Sequence, residues 1–221
     1  MTLRLNGTTG YVELEAPATA GSNTLVLPTG NGTARQTMMT DGAGALSFSW
    51  DAGSLFYRLD SNLAGANVNT AQSVFGVGVT LAGSTAYAFE AKYAFSKSAG
   101  TTAHGIGVGF GGTATVNSIL YASSHAGIGS STPSGVDATP VLGVANSVAN
   151  TTVSSGTSTS TAITRVIVLT GTVSINAGGT FIPQYTLSAA PGGAYSTVAG
   201  SYIKFTPIGA AGSASSQGTW S

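Results

Sequence analysis

The chain has 221 residues, enough for one large β domain or a moderate one with a small extra module. Apolar residues make up 42%, which excludes disorder from want of a core, yet 7 Lys plus Arg and 7 Asp plus Glu supply only 6% charge, against roughly 25% in an average soluble domain. So few cations, with zero net charge, exclude a nucleic-acid partner held by phosphate neutralisation, and the absence of cysteine excludes disulfides and thiolate metal sites.

In chain order, apolar clusters are short, rich in Val, Ile, Phe, Tyr and Thr, and bounded by Gly, Asn, Ser or Pro, the signature of strands and turns; no helix is predicted. The opening MTLRLNGTTGYVELE lacks the apolar core of a secretory signal, and no stretch approaches the ~20 apolar residues of a membrane-spanning helix. Synthesis in a cytoplasm and no membrane contact are therefore expected. Leu3 and Leu5, Tyr11 to Leu14, and Leu25 to Leu27 read as brief strands, with turns at Asn6-Gly7, Gly21-Ser22-Asn23 and Pro28 to Gly32. Gln36 to Thr40 and Leu46 to Trp50 flank Asp41-Gly42, whose glycine tolerates the positive φ of a tight hairpin. Residues 1–50 thus read as a small β module.

From residue 51 to 221 longer strands are expected: Leu55 to Leu59, Val74 to Leu81, Ala86 to Phe95, Gly105 to Phe110, Val116 to Ala122, Arg165 to Ile175, Phe181 to Leu187 and Ser201 to Ile208. Eight strands separated by Gly- and Ser-rich turns fit an antiparallel β-sandwich or jelly roll. Tyr87, Phe89, Ala91, Tyr93 and Phe95 alternate with Ala88, Glu90, Lys92 and Ala94, so the aromatic side should face the core. Arg165-Val-Ile-Val-Leu has no polar alternation, which predicts a strand covered on both sides, inside the sandwich or at a subunit contact. Asn176-Ala-Gly178-Gly179 reads as a hairpin turn. The Ser-, Thr-, Gly- and Asn-rich stretch from Ser123 to Thr161 reads as a long surface loop or arm, and Trp220 as an aromatic anchor on a small polar tail.

These residues also carry a resemblance. Leu3-Arg-Leu-Asn-Gly, Tyr11-Val-Glu-Leu, Ala16 to Pro28, and Thr40-Asp41-Gly42-Ala-Gly-Ala-Leu46 ending at Trp50 resemble a module near the start of tailed-phage tail-fibre and other virion proteins. The remainder, with Tyr87-Ala-Phe-Glu, Phe110-Gly-Gly-Thr-Ala-Thr, Gly171 to Phe181 and Ala199-Gly-Ser-Tyr-Ile-Lys-Phe, resembles the β-sandwich that follows that module in marine phages, especially cyanophages. Its cadence is similar to trimeric jelly rolls of the C1q and tumour-necrosis-factor type. The resemblance implies a virion structural protein, trimeric, located on the particle and not an enzyme. Decoration of the head against the major capsid protein is its first expectation; a tail-fibre or receptor-binding role is the alternative. It implies no catalytic, cofactor or metal residues.

Individual side chains add little chemistry. Gly105-Ile-Gly-Val-Gly-Phe-Gly-Gly112 has the glycines of a phosphate loop but no helix after it, so the glycines are expected to make room for a facing sheet or ring. His104 and His125 have no second ligand at metal spacing and read as solvent-facing loop residues. Glu13, Glu15, Asp41, Asp51, Asp60, Glu90 and Asp137 are dispersed. Arg58 with Asp60, and Glu90 with Lys92, fall at period two and suit surface or interface ion pairs. Trp50 is expected to close the core of the small module, with an interface anchor as the alternative.

Overall fold

In the computed structural model the described residues are 3–14, 24–31, 37–41, 43–49, 53–128, 142–149, 151–158, 162–212 and 214. The chain divides into two compact units, Met1–Ala52 and Gly53–Ser221. Every described element is a strand or turn, and all ladders are antiparallel.

The first unit contains two hairpins. β1 (Leu3–Gly7) pairs with β2 (Gly10–Leu14) around a tight turn at Thr8 and Thr9. β3 (Thr37–Thr40) pairs with β4 (Leu46–Ser49). Between these strands the Asp41 carboxylate accepts the amides of Ala43 and Ala45 at 2.7 and 3.0 Å, which organises the turn. Those bonds, the Ala43 amide foremost, hold the Asp41 carboxyl below its ordinary range.

The second unit is a sandwich of two sheets. Its strands are β5 (Leu55–Arg58), β6 (Leu63–Ala64), β7 (Gln72–Ser73), β8 (Val79–Leu81), β9 (Thr85–Lys97), β10 (His104–Gly112), β11 (Thr115–Ile128), β12 (Leu142–Ala145), β13 (Thr151–Ser158), β14 (Ile163–Ala177), β15 (Gly179–Leu187), β16 (Tyr195–Thr197) and β17 (Tyr202–Ala210). The larger sheet runs β12-β11-β14-β9, and beyond β9 the next position is shared end to end by β17 and β16, backed by β5 and β6. The smaller sheet runs β13-β10-β15, with β7 and β8 sharing its far edge.

The break between β16 and β17 is held by the Ser201 hydroxyl together with the Val198 amide, which donates to the Ala94 carbonyl at 2.7 Å. Ser201 Oγ accepts the Ala94 amide at 2.9 Å and donates to the Val198 carbonyl at 2.7 Å, so it takes the part of a missing strand residue. Behind it, Gly200 donates to the Leu59 carbonyl and Leu59 to that of Ser201, which aligns β5 and β6 with the same discontinuity.

Three local expectations are corrected. Asn176 to Gly179 is a corner between sheets and not a hairpin: both edges of β14 are already taken by β9 and β11, so β15 must start in the other sheet. Val74 to Leu81 is strand only from Val79. Val74 and Phe75 are buried through a turn, where the Val74 amide bonds the Pro183 carbonyl and Gly76 takes φ 71°. The stretch from Ser123 to Thr161 contains the end of β11 and all of β12 and β13, whose small residues suit edge positions; residues 129–141 within it lie outside the described residues.

The core is aromatic. The ring of Phe110 from β10 stacks on Phe181 (4.7 Å, 22°) and meets Phe89 and Tyr121 edge to face at 5.4 and 5.6 Å, while Phe205 packs on Phe89 and Phe181. The predicted inward face of β9 is observed: Tyr87, Phe89, Ala91, Tyr93 and Phe95 are all buried. All of the buried apolar residues described belong to this second unit.

Two stability outcomes follow from this packing. Phe110→Ala should cost about 3–5 kcal/mol in denaturant unfolding, because ring contacts with three strands are lost at once. Tyr93→Phe should hold or raise stability by up to about 1 kcal/mol, because the Tyr93 hydroxyl is buried with no hydrogen-bond partner.

Candidate assembly surface

Period-two alternation that buries one face of the large sheet dictates what the other face displays. On β9 the outward residues are Ala86, Ala88, Glu90, Lys92, Ala94 and Ser96; on β14 they are Thr164, Val166, Val168, Thr170, Thr172 and Ser174. The registers line these up across the sheet. One row runs Val144, Ala122, Thr170, Glu90, Lys204, Phe56, and the next Ser124, Val168, Lys92, Tyr202, Arg58. Six strand positions and the length of β14 make this face roughly 25 Å by 45 Å. That is about 1,100 Å², above the roughly 800 Å² each partner contributes to a standard interface.

Its character changes across its width. Charge is confined to Glu90, Lys92, Lys204 and Arg58 on β9, β17 and β5, where Phe56 lies against Tyr202 at 5.8 Å. The half built from β11, β12 and β14 displays no described charged side chain. It exposes Leu120 (56%), Val144 (73%) and Val168 (38%) among Ala, Ser and Thr. A shallow depression of about 330 Å³, lined by Ala88, Glu90, Thr170, Lys204 and Thr206, marks the boundary between the halves. The strand at Arg165 to Leu169 was expected to be covered on both sides, inside the sandwich or at a subunit contact; within the chain it is covered on one, with Val166 half-buried and Val168 open on the other, so the sandwich alone does not cover it.

The other singled-out residues fall elsewhere. Arg58 and Asp60 form an ion pair with both side chains exposed; Glu90 and Lys92 share the outward face and are exposed. The glycine strand is β10: His104 to Phe110 are all buried, and the Gln184 amide lies against Gly111 where a Cβ would stand, 2.6 Å from its Nε2. His125 lies in β11 opposite Ile167, and Glu13 in β2 opposite Arg4. Trp50, Trp220, Glu15, Asp51 and Asp137 lie outside the described residues. Among the described residues, no group of three or more His, Cys, Asp or Glu converges as metal ligands would.

His104 is a correction. It was expected to face solvent, but it opens β10 at 2% exposure, with Nδ1 2.8 Å from the Thr102 carbonyl and Nε2 2.8 Å from the Tyr195 hydroxyl. A carbonyl only accepts, so Nδ1 carries the proton and Nε2 of the neutral ring accepts from Tyr195. Lys97 and Arg165 are buried beside it. Sequence reading missed this cluster, although the alternation that buries Tyr93 and Phe95 also places Lys97 on the inward face. Burial lowers the His104 pKa against the opposing pull of Thr102, and Lys97 and Arg165 lower it further. Burial likewise lowers that of Lys97, aided by Arg165, and pushes the Tyr185 hydroxyl up to about 12.

A folded-state pKa below the unfolded value means that the unfolded chain binds the proton first as pH falls. The His104 contribution to stability should therefore be full above about pH 6.5 and decline below it, by at most about 1.4 kcal/mol per pH unit. Urea titrations between pH 7.5 and 5 should show that decline, and His104→Gln should flatten it. No protein-family model, no curated protein and no solved structure matches this chain.

Proposed function

We propose that this chain is a structural protein of a bacteriophage particle, a trimeric decoration protein that stabilises the head through contacts with its own copies and with the major capsid protein. The observation that carries the reading is the uncharged half of the large sheet's outer face. It is a surface of Leu120, Val144, Val168 and small residues, about half of the outer face and so about 550 Å²; a standard interface would draw on adjoining surface as well. A chain with 6% charge has little electrostatic repulsion to keep free copies apart, which favours a surface committed to neighbours. The resemblance of residues 1–50 and of the sandwich to virion proteins supports the same reading. The likeness of the N-terminal module to those of tail fibres supports the second reading, a tail-associated or receptor-binding protein.

Copy number per purified particle, by quantitative mass spectrometry against the major capsid protein, separates the two. Hundreds of copies support decoration, a dozen or two support the tail, and absence from particles overturns both. In solution the full chain should run at three times its mass by light scattering. Leu120→Glu combined with Val168→Glu should drop it to the monomer, because two charges would have to be desolvated in each contact.

A further inference from the structure

An asparagine carries an electrophile within reach of its own backbone. Its side-chain amide carbon lies one ring closure away from the amide nitrogen of the next residue, and that approach is open when the next residue is glycine, which brings no Cβ to block it. Of the chain's asparagines only Asn6 and Asn31 precede glycine; the others precede Ser, Thr, Ala, Leu or Val. Two of those others are also tied down, since the side-chain carbonyls of Asn62 and Asn67 accept the amides of Ala199 and Gly192 at 2.8 and 2.9 Å.

The same dipeptide therefore stands in two settings, and the backbone separates them. Gly7 lies opposite Gly10 across the turn at Thr8 and Thr9, and Asn6 lies opposite Tyr11. The pair that closes a two-residue hairpin loop exchanges both of its amide–carbonyl hydrogen bonds. The Gly7 nitrogen, which would have to attack, is thus engaged in the ladder. Ring closure would also require Asn6 to rotate out of its extended conformation and break the pairing on either side. Asn31 has no such restraint. It follows a bend at Thr29 and Gly30, belongs to no described strand and is exposed, and among the described residues no hydrogen bond ties its side-chain amide down. Exposed loop positions of this kind are where local rearrangement concentrates.

We infer that Asn31 is a site of spontaneous covalent modification, converted by its own backbone to a mixture of aspartate and isoaspartate. The Gly32 amide nitrogen forms a bond to Asn31 Cγ, the side-chain nitrogen leaves with the displaced proton as ammonia, and a succinimide ring remains. Water then opens the ring at either carbonyl. Cleavage of the Cγ–N bond gives aspartate, and cleavage of the backbone C–N bond gives isoaspartate, with the chain rerouted through Cβ. Water is the only co-reactant, and base speeds the first step because the attacking nitrogen must lose its proton. Thr24 to Asn31 contains no charged residue and the whole chain is balanced at zero. Each conversion therefore sets a carboxylate in an uncharged segment and moves the net charge to minus one. The inference does not depend on the virion reading.

The test incubates the folded full chain in neutral to mildly alkaline buffer and follows it by isoelectric focusing and peptide mass spectrometry. An acidic form should accumulate, faster as pH rises, with residue 31 converted from amide to acid, ammonia released in equal amount and residue 6 intact. Asn31→Gln should abolish that form, because the longer side chain closes a larger ring more slowly, whereas Asn6→Gln should leave it unchanged. In urea that unfolds the chain both sites should convert alike, since the protection of Asn6 comes from its hairpin. Conversion of residue 6 as fast as residue 31 in the folded chain would overturn the inference. So would conversion of residue 31 only after unfolding, or an acidic form that survives Asn31→Gln.

Discussion

The structure depends on the insertion of one ring from the smaller sheet among the rings of the larger. Phe110 of β10 lies on Phe181 of the adjoining β15 and reaches across to Phe89 and Tyr121 of the larger sheet, and thereby couples four strands of two sheets through a single side chain. Edge-to-face and stacked geometries recur around it, through Phe205, Tyr87 and the chain from Tyr93 to Phe95 and Tyr185. Aromatic pairs in these geometries stabilise beyond the area they bury. With almost no charge and no cysteine, the chain has this packing and its backbone ladders as its principal means of holding two sheets together.

The few charges are distributed in a way that packing explains. Lys97 and Arg165 lie on inward positions of β9 and β14, at the end of the sandwich where His104 and Tyr195 supply polar company. Glu90, Lys92, Lys204 and Arg58 gather on one side of the outer face, and the other side is left to Leu120, Val144, Val168 and hydroxyl or methyl side chains. A surface so divided suits contact with neighbours over part of its width and with solvent over the rest. The proposed role in a particle rests on that division.

The two units follow opposite economies. In the sandwich, strands of 9 to 15 residues cross repeatedly between sheets and bury whole faces. In the N-terminal unit, strands of 4 or 5 residues make hairpins whose defined side chains all remain open to some degree. Short strands make few cross-strand pairs, so each of these ladders contributes less than the long ladders of the sandwich.

Period two by itself determined much of this protein. The alternation of rings from Tyr87 to Phe95 specified an inward face, strand and turn residues specified an all-β chain, and the low charge specified a surface of small uncharged groups. The same alternation, extended to Lys97, already placed an ammonium in the core, but a lysine at a strand end reads equally well as the start of a turn. Only the tertiary structure decided which strand pairs with which. Asn176 to Gly179 has the composition of a hairpin, and it became a corner because β14 had no free edge, which is a fact about β9 and β11. Ser201 could not be read as the splice between β16 and β17, nor His104 as buried, because both depend on groups far away in sequence, Ala94 and Tyr195. Local pattern records which way a side chain points; what it meets there is decided by long-range pairing.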